Sequence, residues 1–259
     1  MTSRRLVVLD FSGTLSPGAT GFAEPETLEA ALRSSGLAGL GVTRDIFWDA
    51  VAQTWEQAST TGVGYARSMA GAMADRLGVE VGSIIGAARS FTAAYLAAST
   101  VAAEWETGLR ELVSRCRLVV ASDHYAEATA HIVSELERLG LEARPVTEPA
   151  PGSILVATSA DLGSRKQSPE FWKAVQTAIG PVDSVAVVDD FGANEHSDDP
   201  YGAEEEVAER REATVRVLGQ VFEAPVDVFE FRLDGRDFRS LVGEAVTWAL
   251  RWSEGETAP

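Results

Sequence analysis

Cysteine is nearly absent from this chain: Cys116 stands alone in 259 residues. A disulfide within the chain is therefore excluded. Cys116 precedes the apolar run Leu118-Val119-Val120-Ala121 and reads as a small core residue rather than a catalytic thiol. Lysine is almost as scarce, with Lys166 and Lys173 against twenty arginines. Positive charge as a whole is outnumbered, and the formal net charge is −17. That balance excludes a nucleic-acid backbone or an anionic membrane as the main partner. An acidic protein that binds a phosphate needs a local positive element: a metal ion, a lysine or a helix N-terminus. No apolar run of about 18 residues occurs, and the N-terminus lacks a leader-like apolar stretch. The chain is accordingly expected to be soluble and cytoplasmic. Internal repeats and low-complexity linkers are also missing. With 45% hydrophobic residues, one or two domains with a sizeable core are expected.

What is present begins at Arg5-Leu6-Val7-Val8-Leu9, a short apolar run that reads as a buried strand. Asp10-Phe11-Ser12-Gly13-Thr14-Leu15 follows it directly. Open α/β sheets set their reacting groups at the carboxyl ends of such strands. Gly13 allows a sharp turn and a close approach to a ligand. Thr14 adds a hydroxyl suited to a phosphate oxygen. Asp10 is a candidate nucleophile, able to form an ester or an aspartyl phosphate. Residues 15–24 read as a Gly/Pro-rich loop. From 25 to 110 the pattern is helical, with one helix opening at Pro25 and another after Thr43 as N-cap. Further helices are expected over 65–77, 81–98 and 102–116. Strands and helices then alternate. The strands are expected at 118–121, 153–157, 185–188 and 226–231. The helices are expected at 126–139, 168–179, 204–221 and 238–252, with Pro169 in the first turn of the second. Such alternation implies an α/β fold, a parallel sheet with helices on both faces, and a helical block inserted between its first two strands.

The strand followed by D-x-x-G-T-L resembles motif I of the haloacid dehalogenase-like (HAD) hydrolases. The layout is similar to a Rossmann-like HAD core with an α-helical cap inserted directly after motif I. This resemblance implies a core of residues 1–15 and 111–259 and a cap of residues 16–110. Ser122 ends its strand as the motif II hydroxyl does, which in that family binds a phosphoryl oxygen; it also suits an N-cap. Lys166-Gln167-Ser168-Pro169-Glu170-Phe171-Trp172 resembles motif III. A fixed ammonium there neutralises Asp10 and the incoming phosphoryl charge. Val188-Asp189-Asp190 resembles the Val-Gly-Asp of motif IV, which aligns Asp190 with the main metal ligand and leaves Asp189 in the glycine slot. Two carboxylates at a strand end repel each other unless a cation lies between them and Asp10. Mg²⁺ takes oxygen ligands in near-octahedral geometry. Asp10, the backbone carbonyl of Ser12, and Asp190 are the expected protein ligands, with Asp189 beside them. Asn194 falls at the second acidic position of that motif as an amide, and Glu195, adjacent, could substitute for it.

Ser12 departs from the pattern. Most HAD phosphatases carry Asp two residues after the nucleophile, as acid for the leaving group and base for water. Such a group contributes ~10²–10⁴-fold. Either turnover is slow, or another group protonates the leaving alcohol, or the leaving group needs no proton. The phosphonoacetaldehyde-hydrolysing branch has a small residue there and uses a cap lysine, which this chain lacks between residues 15 and 110. The dehalogenase branch commonly has Tyr there and needs no metal. The P-type ATPase branch has Thr, the nearest local match to Ser12. His124 and His196 follow strand ends and are candidates for the missing acid. Phe47, Trp48, Trp55, Tyr65, Phe91, Tyr95 and Trp105 fall at helical spacing and are expected to be packing residues, with about two reaching the site. Arg44, Arg67 and Arg89 are candidates to hold an anionic substrate.

The expectation is a Mg²⁺-dependent phosphoryl-transfer hydrolase, a phosphatase acting on a small phosphorylated metabolite through an aspartyl phosphate. Its catalytic set is Asp10, Ser12, Thr14, Ser122 and Lys166. One alternative is a metal-independent dehalogenase-like hydrolase. Another is a HAD-derived binding or regulatory module with little turnover because of Ser12. The expected partner is the small phosphorylated substrate, with no nucleic acid and no membrane, and the expected assembly is a monomer or homodimer.

Overall fold

The apolar run after Arg4 forms β1 (Arg5–Leu9) in the computed structural model, which describes residues 4–196, 199–202 and 204–255. Five helices follow: α1 (Pro17–Gly21), α2 (Pro25–Ser34), α3 (Arg44–Ala58), α4 (Tyr65–Leu77) and α5 (Val81–Ala98). A 3-10 turn, Ala103–Trp105, leads into α6 (Glu106–Arg115). Then come β2 (Arg117–Ser122), α7 (Ala128–Arg138), β3 (Ala143–Pro145), β4 (Ile154–Thr158), α8 (Ser159–Leu162) and α9 (Pro169–Ile179). The chain finishes with β5 (Ser184–Asp189), α10 (Glu204–Phe222), β6 (Val226–Glu230) and α11 (Phe238–Glu254).

Among the described residues the strands form one six-stranded sheet in the order β3-β4-β2-β1-β5-β6, every pair parallel. Alternate strand residues point to opposite faces, and here both faces are covered. Val7, Leu9, Leu118 and Val120 join a cluster with Leu109 of α6, Ile132 of α7 and Leu241 of α11. Leu6, Val8, Val119 and Ala121 join another with Phe171 and Trp172 of α9 and Leu218 of α10. Burial on both faces explains why these strands read as continuous apolar runs rather than alternating ones.

The inserted helices build a third cluster, around Leu28, Phe47, Met69, Met73, Ile84 and Phe91. Thr43 caps α3 by accepting from the Ile46 N–H at 3.3 Å, as its sequence suggests. The segment 81–115 is long and apolar enough by length and composition to cross a membrane. Here it divides: Ile84, Ala88 and Phe91 of α5 pack in the cap cluster, while Leu109 and Leu112 of α6 pack against the sheet. Side chains from Val101 to Leu112, on either side of residue 110, therefore lie in the sheet cluster.

Three elements differ from expectation, one of them the four-residue α8 directly after β4. The loop after motif I contains α1, because Ser16 accepts from the Ala19 N–H and Pro17 opens the first turn. An added edge strand, β3, has only three residues and ends in Pro145, which an edge position tolerates.

The chain leaves β1 toward β2 on one side and later returns to β5 on the other. β1 is thus the switch point, where open α/β sheets form their ligand crevice. Leu9 is level with both Val120 and Val188. The residues that follow, Asp10, Ser122 and Asp189-Asp190, consequently meet at one edge.

Candidate active site

Asp10 follows β1, and its N–H donates to the Val188 carbonyl at 2.9 Å. Lys166 lies in the loop before α9 and is buried. Its Nζ donates to Asp10 Oδ1 at 2.7 Å and to Asp189 Oδ2 at 2.8 Å. Burial opposes charge on this amine, but Asp10 and Asp189 outweigh it and hold Lys166 well above the ordinary lysine range. The loop carrying Lys166 is fastened by its backbone. The Lys166 N–H donates to Asp123 Oδ1 at 3.0 Å, and the Lys166 carbonyl accepts from Trp172 Nε1 at 2.6 Å.

The turn after β5 wraps two carboxylates in main-chain N–H groups. Asp189 Oδ1 accepts from Phe191 at 2.6 Å. Asp190 accepts from Gly192 at 3.2 Å and from Asn194 at 2.9 Å. Phe191 adopts φ +53°, a left-handed conformation that a non-glycine residue holds only when its surroundings enforce it. Gly13, at φ +73°, passes so close that a Cβ there would lie 2.5 Å from Asp190 Oδ2. Asn194 ties these loops together. Its Nδ2 donates to the carbonyls of Gly13 and Phe231, and its Oδ1 accepts from the Leu233 N–H. Every polar atom of that amide is used in the clamp.

Asp10, Asp189 and Asp190 bring ligand oxygens within 4.8 Å of one another, all buried. One ammonium serves three carboxylates. Burial, with Asp189 and Asp190 adding, raises Asp10 well above the usual carboxylate range despite Lys166. Burial and Asp189 push Asp190 up to about 7. Carboxylates that resist ionising together in a dry pocket are the donor set a hard divalent cation satisfies. The residues fit such an ion.

Ser122 ends β2, is buried, and lines the same cavity as Asp10, Ser12, Lys166, Asp189 and Asp190. Thr14 is not brought there. Its hydroxyl is buried without a partner, and its carbonyl accepts from Trp105 Nε1 at 3.0 Å. Asp123 also lines the cavity and holds the lysine loop; a second polar residue directly after the motif II serine was the signal for it. His196 and the cap arginines Arg44, Arg67 and Arg89 do not line this cavity, and Lys166 is its one cationic lining residue among those described.

The cavity has a volume of about 110 Å³. Its roof is far more aromatic than the helical spacing suggested. Phe47, Trp48, Trp55, Tyr65 and Tyr95 from the cap all reach it, whereas Phe91 and Trp105 pack elsewhere. Phe22, after α1, and Tyr125 and Tyr201, after β2 and β5, complete the wall. Glu195 and Asp199 line it as well. Burial and then Asp199 raise Glu195 well above the usual carboxylate range. Burial also raises the phenols of Tyr65, Tyr95 and Tyr125, with Glu195 adding at Tyr95 and Asp199 at the other two.

His124 is buried and neutral. Burial lowers it to about 4, and His131 adds to the shift. Its Nδ1 accepts from the Tyr125 N–H at 2.9 Å, so the ring proton sits on Nε2, 3.0 Å from Tyr95 Oη. Tyr95 Oη accepts that proton, and the Ser12 side chain lies within hydrogen-bonding reach of the same oxygen. His124 therefore orients Tyr95 rather than acting as an acid near neutrality. The folded value lies below the ordinary 6.5, so the unfolded chain binds the extra proton as pH falls through that window. His124 should cost about 2 kcal/mol of stability between pH 7 and pH 5. Urea midpoints of the wild type and His124→Gln at both pH values check this; equal losses in the two proteins would show that His124 is not held neutral.

This parallel sheet, with its helical cap after β1 and its carboxylates at the switch point, is a haloacid dehalogenase-like fold. Among solved structures, a 2-haloacid dehalogenase from Pseudomonas syringae pv. Tomato DC3000 is similar to it, with a TM-score of 0.50 and 19% sequence identity over 96% of this chain and 100% of that one. No protein-family model matches the chain, and no curated protein matches it.

Proposed function

We propose that the protein is a Mg²⁺-dependent phosphohydrolase acting on a small phosphate monoester through an aspartyl phosphate. The observation that carries this reading is the buried carboxylate cluster of Asp10, Asp189 and Asp190 around a single ammonium. Asp10 and Asp190 would hold the metal, with the Ser12 carbonyl alongside. When bound, the ion neutralises charge on the nucleophile and on the phosphoryl oxygens. Lys166 occupies Asp10 Oδ1 and leaves Oδ2 to attack phosphorus. The Lys166 ammonium and the Ser122 hydroxyl stabilise the equatorial oxygens. The oriented Tyr95 hydroxyl, beside Ser12, gives a hydrogen bond to the leaving oxygen. Water then cleaves the aspartyl phosphate, and the aromatic roof excludes bulk solvent meanwhile.

A dehalogenase route has less support. A 2-haloacid brings a carboxylate, and the only cation lining the cavity among the described residues is Lys166, already bound to two carboxylates. The test is phosphate release from phenyl phosphate and halide release from 2-chloropropionate, each with Mg²⁺ and with chelator. Phosphate release that chelator abolishes is the expected result. Halide release in chelator would replace this reading with the dehalogenase one, and neither product would leave a binding module.

Ser12 gives a second expected outcome. With serine in place of the acid two residues after Asp10, aryl phosphates should turn over much faster than alkyl phosphates. Ser12→Asp should raise alkyl-ester turnover by up to ~10²–10⁴-fold. Steady-state rates for matched aryl and alkyl esters decide it; a wild type indifferent to the leaving group would mean that Tyr95 supplies a full proton.

A further inference from the structure

The rest of the cavity lining has the wrong charge for a second anion. Glu195 and Asp199 line it, and Lys166, the one cationic lining residue among those described, is bound to Asp10 and Asp189 instead. Arg210 acts on both through space and His196 on Asp199, but the Arg210 guanidinium bonds to the carbonyls of Phe191 and Tyr201, and neither side chain lines the cavity. A substrate whose alcohol half carried a carboxylate or second phosphate would face two carboxylates and no counter-charge.

The same lining carries aromatic rings set at steep angles. Trp55 meets Tyr125 at 5.3 Å and 76°, and Tyr201 at 5.5 Å and 73°. Tyr65 meets Tyr125 at 4.3 Å and 69°. These rings form corners instead of a flat stack. Arg165, 5.6 Å from the Trp55 centroid, and Arg210, 3.6 Å from that of Tyr201, lie outside the cavity and fix those two ring planes. Val51 and Ala23 add aliphatic surface. Rings at right angles, flanked by carboxylates, match a compact organic cation with apolar substituents.

We propose that the alcohol half of the substrate is an alkylammonium group, seated between the corner of Trp55, Tyr125 and Tyr201 and the carboxylates of Glu195 and Asp199. The inference rests on the phosphohydrolase reading and names its substrate class, a phosphate monoester of an amino alcohol. The phosphoryl end lies at Lys166 and Asp10, and the cationic end offsets the excess negative charge of the site. Hydrolysis then takes up one water and releases the amino alcohol and inorganic phosphate, with no other reactant.

The experiment uses the full chain with Mg²⁺ and compares kcat/KM for four esters. Phenyl phosphate reports the phosphohydrolase activity itself. Phosphocholine carries the cation, 3,3-dimethylbutyl phosphate is its uncharged isostere, and phosphoglycolate carries an anion. Phosphocholine should exceed the uncharged isostere by about tenfold or more, the scale of a desolvated cation–π contact, and phosphoglycolate should be slowest. Glu195→Gln should narrow the ratio of phosphocholine to its isostere severalfold, a ratio read within each protein and so independent of the amount correctly folded. Hydrolysis of phenyl phosphate with equal rates for cation and isostere would overturn this inference alone. No hydrolysis of any ester would overturn the phosphohydrolase reading and this one with it.

Discussion

Asp10→Asn loses turnover by about 10⁴-fold or more, the scale expected when a nucleophile is removed and the rest of the site remains. The amide keeps the shape of the carboxylate, and Lys166 retains Asp189 as partner. Asp10 is held above its ordinary range by burial and by two neighbouring carboxylates, so removing its charge relieves crowding and the fold survives. The measurement is acid-quenched single turnover of phenyl phosphate, with the mass of the protein read directly. Wild type should carry one phosphoryl group transiently, and the variant none. A variant that keeps more than about a hundredth of the wild-type rate would sink the covalent route.

Lys166→Met should be the most damaging single change to stability within the site. It leaves Asp10 and Asp189 facing each other, buried, without their shared ammonium. Breaking a buried ion pair by deleting one partner costs about 3–5 kcal/mol, because an uncompensated charge remains. Asp10 can escape by taking up a proton, and its position above the usual range makes this easy. The folded variant thus binds a proton that the unfolded chain has already released, so its stability deficit grows as pH rises. Urea midpoints of both proteins at pH 8 and pH 5 test the sign. A deficit that stays constant over that range would mean that the ammonium does not neutralise Asp10. Activity should be lost at both pH values.

The fold was legible where local signals agree. Tyr65–Leu77 and Val81–Ala98 begin and end where their apolar spacing does, and Gly78, left-handed, closes the first of them. The strands beside β1 announced themselves as uninterrupted apolar runs because helices cover both faces. β3 was not legible, since three edge residues carry too little pattern to distinguish them from loop. The candidate site was legible in its floor: Asp10, Ser122 and the Asp189-Asp190 pair end or follow strands, and the sheet gathers strand ends, while Lys166 stood out by its run with Pro169 and Phe171 before a helix. Its roof was not. Helical spacing shows which residues of α3 share a face, but not what that face meets. Trp48 and Trp55 therefore read as packing residues, although they line the cavity. Asp123 escaped notice for a related reason, because its partners, the Lys166 N–H and the Tyr201 hydroxyl, come from distant segments.

Trp55 has a consequence of another kind. It belongs to a cap helix, yet its ring abuts Tyr125 and Tyr201, which follow strands of the sheet. Lifting the cap would part these rings and bring the indole into water. The emission of this one tryptophan would shift to the red with each opening and return with each closure. In a variant that keeps Trp55 as its one tryptophan, such a shift would time the access of solvent to Asp10 without an attached dye.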